Sequence, residues 1–291
     1  MLDRLDDIPW NRLTHAYGSA KDIPDLLRSL RTEPTETGED SPLWQLFSNI
    51  WHQGTVYEAT AYAVPFLIEL AACPQVPDRI IILELLALIA TGSSFRQVHG
   101  DVMNEPDFAE RKAVELEWVE QAHAAVARGV GALLAMTEEK SDIRLAAAHL
   151  LALLPEHREI VCARLRIMTK AETGSLQRAG LLLLLGLADD RSEAALAMLS
   201  DATLSDDPMQ RHGAAFSYAY LKPDPLPDLA RAAILEAIAR DDLEKSFDGI
   251  PWDVTADIDR EKLYACLDAA SREEAATTGI VAVETGSLAA A

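Results

Sequence analysis

The stretch from 49 to 67, NIWHQGTVYEATAYAVPFL, brings together side-chain types that catalytic and binding sites use. In it Glu58 enters an otherwise apolar and small-residue run, with Trp51, His52 and Tyr62 nearby in sequence. A carboxylate in such surroundings could act as a general acid or base if burial raised its pKa. It could instead stabilise the positive end of a helix from the first turn, a common place for an acidic residue. The sequence favours the helix-end role and keeps these four residues as a candidate partner-binding group.

Further candidate residues are carboxylates on a predicted insertion and at the ends of predicted helices. Acid–base catalysis would need one of them to be desolvated, which a sequence cannot show. A solvated acidic face that contacts a partner is therefore the favoured interpretation. The residues are Glu105, Asp107, Glu110, Glu156, Glu159, Asp241 and Asp242.

Motifs for metal, nucleophile and phosphate chemistry are missing from the sequence. The seven histidines are scattered singly without HxxxH or HExxH spacing, and the three cysteines form no CxxC pair. GxSxG, GxGxxG and GxxxxGK[ST] do not occur either. The sequence therefore predicts no metal site and no cofactor, and it offers no catalytic residue. The unpaired cysteines indicate buried thiols in a reducing compartment, so we expect a cytoplasmic protein.

Charge is the most informative bulk property of the chain. Asp and Glu total 47 against 26 Lys and Arg, a formal net charge of -21. Such a surface repels nucleic-acid backbones and anionic membranes and attracts basic proteins. No apolar run approaches the length of a membrane span, and the N-terminus lacks an apolar signal core. We therefore expect a basic protein partner, with neither nucleic acid nor a membrane bound.

A repeated helical pattern organises the second half of the chain. Ile143, Leu176 and Met209 anchor three segments at steps of 33 residues, and apolar or small residues follow each anchor at +4, +7, +8 and +11. That spacing is the buried stripe of an amphipathic helix. A second helix is predicted after each anchor helix, at 156–170, 192–204 and 226–240. A period of this length with two helices per unit is typical of an α-solenoid.

On these segments the chain resembles the HEAT-repeat family in its short bacterial form. The residues that carry the resemblance are Asp-Ile-Arg in SDIRLAAAHL and Arg-x-Gly-Ala-Ala in DPMQRHGAAFSYAYL. It covers 141–240 most clearly and extends back to 43. The resemblance implies an all-α fold, a right-handed α-solenoid of about five antiparallel helix pairs. HEAT repeats form scaffolds of many kinds, so the resemblance does not imply one activity.

The first half fits the same plan less regularly. Helices are predicted at 43–52 and 56–71, with Gly54 in a left-handed helix end and Thr55 capping the next helix. A further helix at 77–90 is paired with one at 118–137. The residues between them, 91–117, exceed the length of a repeat turn and are predicted to be an insertion.

Two copies of Ile-Pro-Trp, in DDIPWNRL and DGIPWDVT, suggest caps at both ends of the array. The predicted organisation is a helical cap at 1–42, HEAT-like repeats at 43–242, a C-terminal cap at 243–274 and a loose tail at 275–291. The last residues, GSLAAA, resemble a vector remnant and take no part in the functional argument.

Together these features predict a non-catalytic scaffold for protein–protein recognition whose acidic surface binds a basic partner. One concrete version is an immunity or inhibitor protein that neutralises a basic toxin, by analogy with small acidic inhibitors. Two alternatives stay open. An enzyme of the HEAT-like DNA glycosylase kind would need a local basic face, and a regulatory or assembly scaffold would need an apolar ridge for self-association.

Overall fold

The computed structural model describes residues 1–32, 41–100, 106–140, 142–240, 243, 245–252, 260–268 and 271–272. These residues are mostly helical, which confirms the all-α prediction. Contacts divide the chain into two compact units, Met1–His157 and Arg158–Ala291. The predicted tail and the GSLAAA sequence lie outside the described residues.

The N-terminal unit consists of short helices and two small β-hairpins. The helices are α1 Ile23–Ser29, α2 Pro42–Ile50, α3 Thr60–Ala71, α4 Arg79–Ala90, α5 Phe95–His99, α6 Phe108–Ala127, α7 Val130–Met136 and α8 Ile143–Ala152. Short 3-10 turns occur at Leu5–Asp7, Trp10–Arg12 and Pro155–His157. The first hairpin pairs β1 Thr14–His15 with β2 Gly18–Ser19, and the second pairs β3 Trp51–His52 with β4 Thr55–Val56.

The second hairpin corrects the predicted helix–helix corner at 53–55. Helix α2 ends at Ile50, and Gln53 and Gly54 form the hairpin turn with φ of 50° and 87°. Two consecutive positive φ values are what a type I′ hairpin turn requires, and Gly tolerates one of them without strain. Thr55 is not a helix cap, because its hydroxyl donates to the carbonyl of His52 at 2.7 Å.

The segment predicted as an insertion is largely helical. It contains α5 and the first half of α6, which begins ten residues before the predicted helix start at 118. The reason is a buried ion pair between Arg96 on α5 and Glu115 on α6, whose side chains are 11% and 7% exposed. The backbone N–H of Arg96 also donates to Glu115 at 2.8 Å. This pair joins α5 to α6, and Glu115 is the one buried residue that the first half of α6 contributes.

The core of the N-terminal unit lies among α3, α4, α6 and α8. Helix α4 contacts each of the other three, and α3 also packs against α6. Trp10, from the first Ile-Pro-Trp sequence, is buried against Phe66 of α3, with 6.4 Å between ring centroids. Its indole N–H donates to the carbonyl of Leu5 at 2.8 Å. The Trp10 ring is therefore buried against an aromatic neighbour, and its N–H has a hydrogen-bond acceptor inside the same unit.

The C-terminal unit follows the predicted helical periodicity closely. Its elements are α9 Arg158–Ala171, α10 Ser175–Leu187, α11 Glu193–Thr203, α12 Pro208–Leu221, α13 Asp228–Ile238, a 3-10 turn Lys245–Phe247 and α14 Arg260–Ala265. The three predicted second helices correspond to α9, α11 and α13. The anchors Leu176 and Met209 are each the second residue of their helix, and Ile143 is the first residue of α8.

Helices α10 and α12 touch through their backbones. A Cβ on Gly186 would lie 2.4 Å from the Cα of Ser217, and a Cβ on Gly213 would lie 2.4 Å from the carbonyl oxygen of Ala179. The buried hydroxyl of Ser217 accepts the N–H of Gly186 at 2.8 Å and donates to the carbonyl of Leu182. Gly213 is the small residue four positions after the anchor Met209, and it allows the two helices to approach this closely.

Gly180, the corresponding small residue of α10, has a different neighbour. A Cβ there would lie 2.9 Å from Ile250 and 3.1 Å from Trp252, both of the second Ile-Pro-Trp sequence. Trp252 is 7% exposed. The glycine therefore makes room for an indole ring in the C-terminal unit.

Candidate functional site

Glu58 precedes α3 and does not lie in its first turn, so the predicted helix-end role is wrong. One carboxylate oxygen of Glu58 accepts two hydrogen bonds from Thr14, from the backbone N–H at 3.0 Å and from the hydroxyl at 2.9 Å. Helix α3 starts two residues later, at Thr60. Glu58 thus connects the first hairpin to the chain entering α3, across 44 residues of sequence.

A second polar cluster, which the sequence analysis missed, surrounds His15 in the first hairpin. The Nδ1 atom of His15 accepts the backbone N–H of Tyr17 at 3.0 Å, so the proton of the neutral ring lies on Nε2. Nε2 faces Asp22 at 3.0 Å, and the other oxygen of Asp22 accepts from Asn49 at 2.8 Å. Because both ring nitrogens are engaged inside the protein, this His–Asp pair fits a structural link between α1, α2 and the hairpin better than a general base.

The predicted pair Trp51 and His52 forms the first strand of the second hairpin. The Trp51 ring packs edge-on against Phe47 at 6.3 Å, and its buried indole N–H has no partner among the described residues. The His52 ring stacks edge-on against Tyr17 at 5.5 Å, and its Nδ1 lies 3.4 Å from the Tyr17 hydroxyl. Tyr17 is 66% exposed, so this contact is at the surface.

Tyr62, the fourth predicted residue, lies elsewhere, in an open groove of about 530 Å³ between α3 and α6. The structure therefore does not bring Trp51, His52, Glu58 and Tyr62 into one site. The groove is lined by three stretches of the chain: Arg4 and Ile8; Ala61, Tyr62, Pro65, Phe66 and Glu69; Glu120, Gln121, Ala124 and Arg128. Its volume is in the range of ligand-binding clefts, and most of its lining is apolar.

The floor of the groove contains a proline inside a helix. Pro65 has no N–H, so the carbonyl oxygen of Ala61 lacks the donor that an α-helix normally supplies four residues later. Ala61 is partly exposed in the groove, next to the 39% exposed ring of Tyr62. The groove thus offers an aromatic face and a carbonyl acceptor side by side.

The predicted acidic residues are spread over the molecule rather than collected in one place. Asp107 precedes α6 and pairs with Arg111 at 2.7 Å, a hydrogen bond that lowers the pKa of the carboxyl. Glu110 and Glu159 are exposed in the first turns of α6 and α9. Three further predicted residues, Glu105, Asp241 and Asp242, lie outside the described residues.

Glu156 lies in the 3-10 turn after α8 and is bonded to His123 of α6. The Nε2 atom of His123 is 3.0 Å and 3.2 Å from the two oxygens of Glu156, and its Nδ1 is 2.9 Å from the carbonyl oxygen of Ala90. Both nitrogens face acceptors, so the arrangement is complete only when the ring is a doubly protonated cation. Burial lowers the pKa of His123, but the Ala90 carbonyl and the Glu156 carboxylate outweigh it and raise the pKa overall.

Comparisons with protein-family models, curated proteins and solved structures return no match to the chain. Within the described ranges, no group of three His, Cys, Asp or Glu side chains could hold a metal ion. In that same part of the chain no helix combines the length and apolarity needed to cross a membrane.

Proposed function

We propose that the chain is a non-catalytic protein-recognition scaffold of the HEAT-like kind, a right-handed α-solenoid of about five helix pairs, whose acidic surface binds a basic partner protein. The observation that carries this proposal is the open groove between α3 and α6, in a chain with a net charge of -21. Preformed apolar grooves with an exposed aromatic side chain are typical anchor sites for protein partners.

Support for the scaffold comes from the spacing of the helices. The anchors at Ile143, Leu176 and Met209 fall at the starts of α8, α10 and α12, and each helix is followed by a second one. Helix starts that recur with the sequence period are what a repeat protein requires.

The charge supports a basic partner through its effect on association. Acidic residues outnumber basic residues in each of the two units taken alone, so the charge is not confined to one tail. A field of one sign attracts a basic protein from a distance and raises the association rate, and salt screens it over about 8 Å at physiological ionic strength. An immunity or inhibitor protein that neutralises a basic toxin is the concrete form of this proposal.

Affinity capture with the purified chain from a lysate of its source organism, washed at low and at high salt, tests the proposal. We expect one basic protein that is retained at low salt and released at high salt, as mass spectrometry would show. Nucleic acid without a protein partner would favour the glycosylase-type alternative. A stable oligomer in gel filtration with no captured partner would favour an assembly scaffold.

A further inference from the structure

The groove has a direction, because α3 and α6 run parallel along it. The C-terminal ends of the two helices meet, since a Cβ on Gly129, just after α6, would lie 2.4 Å from Ile68 of α3. Earlier in α6, Glu115 accepts the N–H of Arg96, and the nearby carbonyl of Ser93 accepts the N–H of Val56 in β4, the strand that leads into α3. Ala61, Tyr62, Glu120 and Gln121 therefore line one end of the groove, the early end, and Glu69 and Arg128 line the other, the late end.

This direction separates the charges of the groove. Glu120 lies at the early end, with Tyr62 and the Ala61 carbonyl, so this end offers acceptors and negative charge. Arg128, the residue that follows α6, lies at the late end, eight residues beyond Glu120, a separation of about 12 Å at the rise of an α-helix.

Glu69 also lies at the late end, but one of its oxygens accepts the backbone N–H of Leu2 at 2.8 Å. The same hydrogen bond brings the N-terminal segment, with Arg4, to this end. Arg128 and Arg4 therefore place positive side chains at the late end, whereas Glu120 places a negative one at the early end.

The charges at the two ends are available to a ligand. Glu120 on α6 and Arg128 just after it are exposed, and neither side chain has an ion-pair or hydrogen-bond partner among the described residues. Arg4 is 86% exposed and forms an exposed ion pair with Asp7 at 3.7 Å, so Arg128 is the cation at this end on which the argument depends. Between these ends the surface is apolar, formed by Ile8, Pro65, Phe66 and Ala124.

We propose that the groove binds an extended segment of the partner protein in which a basic side chain and a carboxylate, roughly four residues apart, flank apolar residues. At about 3.3 Å per residue, four extended residues match the distance between Glu120 and Arg128. The basic side chain pairs with Glu120 and lies against the Tyr62 ring, where a cation is favoured by the aromatic face. A backbone N–H of the segment donates to the Ala61 carbonyl, and the carboxylate of the segment pairs with Arg128. This inference rests on the proposed recognition function and gives it a specific site.

Three capped peptides of equal length and the same apolar centre test the charge pattern: one with Lys and Asp at its ends, one with two Lys and one with two Asp. Binding to the whole chain is measured by fluorescence anisotropy of labelled peptides at physiological salt, where long-range attraction is largely screened. We expect the Lys/Asp peptide to bind most tightly. Equal affinities, or no saturable binding of any of the three, would overturn the proposal.

Reversing the charge at either end of the groove should then change which of the three peptides binds most tightly. Glu120→Arg makes both ends positive, and the two-Asp peptide should become the tightest ligand. Arg128→Glu makes both ends negative, and the two-Lys peptide should become the tightest. Each reversal replaces an attraction by a repulsion between exposed groups, so we expect changes of roughly fivefold in relative affinity.

Two control variants distinguish the effect of charges in the groove from the effect of the net charge of the chain. Asp201→Arg and Lys170→Glu make the same charge changes at exposed positions of the C-terminal unit. They should leave the order of the peptides as in the unmodified chain. A control that reorders the peptides as its groove counterpart does would show that net charge alone sets the preference, and the site would be wrong.

The same variants distinguish failure of the site from failure of the function. If a basic protein is captured in a salt-dependent way and is retained equally by Glu120→Arg and Arg128→Glu, the recognition function stands and the groove is not its site. If neither the peptides nor a basic protein bind the unmodified chain, both proposals fail. Circular dichroism of each variant confirms that its helices are intact before binding is compared.

Discussion

In the N-terminal unit, charged and polar side chains join elements that are distant in sequence, whereas in the C-terminal unit two helices touch through their backbones. Arg79 illustrates the first case, since it is 9% exposed in its side chain and binds both oxygens of Glu139 at 2.6 Å and 2.9 Å. Gly186 and Gly213 illustrate the second. The difference implies that the N-terminal unit is sensitive to loss of a partner, and the C-terminal unit to added volume.

The largest effect is expected from breaking the buried ion pair of α5 and α6. Glu115→Gln removes the carboxylate that Arg96 binds, and removing one partner of a buried ion pair costs about 3 kcal/mol of unfolding free energy. Chemical denaturation of the variant would measure the loss. Glu117→Gln, an exposed change on the same helix, should stay within about 0.5 kcal/mol of the unmodified chain. Equal losses for the two variants would show that the pair does not stabilise the unit.

Added volume at the backbone contact of the C-terminal unit should cost somewhat less. Gly186→Ala places a methyl group against the Cα of Ser217, which we expect to lower the unfolding free energy by about 2 kcal/mol. Gly131→Ala is the matched control, because nothing lies within 4 Å of its added Cβ. Within α7 that change should be neutral or stabilising by about 0.5 kcal/mol, since alanine favours helix. A stable Gly186→Ala variant would contradict the close crossing of α10 and α12.

Acid should weaken the C-terminal unit through His212 of α12. This side chain is fully buried, and neither ring nitrogen has a hydrogen-bond partner in the part of the chain that the structure describes. Its Nε2 lies 3.7 Å from Glu236, which is engaged by Arg211. Burial lowers the pKa of His212, so the unfolded chain takes up a proton first and stability falls as pH drops below the ordinary histidine pKa. We expect a loss of about 1 kcal/mol between pH 7 and pH 5.5, measured by hydrogen exchange of α12 amides.

The variant His212→Leu tests whether the loss of stability in acid comes from His212. His212→Leu should retain stability at pH 7, because it removes two unpartnered polar atoms from the core, and should flatten the acid response. If the variant lost as much stability in acid as the unmodified chain, other titrating groups would be responsible for the loss.

The N-terminal unit should respond to acid in the opposite sense through His123, with the smallest effect of the series. The pKa of His123 is raised in the folded state, so its contribution is fully present below the unfolded pKa and is lost as pH rises through the folded pKa. His123→Gln should therefore destabilise the unit more at pH 6 than at pH 9. The ring is partly exposed, so the difference should stay below about 1 kcal/mol. A loss that does not depend on pH would show that the ring acts without its charge.

The same contrast explains which features a sequence can predict. The helices α8 to α13 were predictable because each carries a long periodic apolar stripe, and the anchors fall within one residue of the helix starts. The two hairpins were not, because strands of two residues are too short to show alternation. A signal was present in retrospect: His15 and His52 each end the first strand of a hairpin, and a glycine, Gly18 or Gly54, follows within three residues.

The groove was predictable only in part. Tyr62 was identified as a candidate from its sequence context, but the lining joins residues from the N-terminal segment, α3 and α6. Arg128 and Glu120 are ordinary surface charges until the direction of the two helices places them at opposite ends. Such a site depends on tertiary packing, which leaves no local pattern.

Trp252 packs against Gly180 and is the single tryptophan of the C-terminal unit, since the other four lie between residues 10 and 118. Its indole is therefore a native spectroscopic label for that unit. In a chain whose other tryptophans are replaced by phenylalanine, emission should be blue-shifted while Trp252 covers α10 and should move to the red when water reaches the ring.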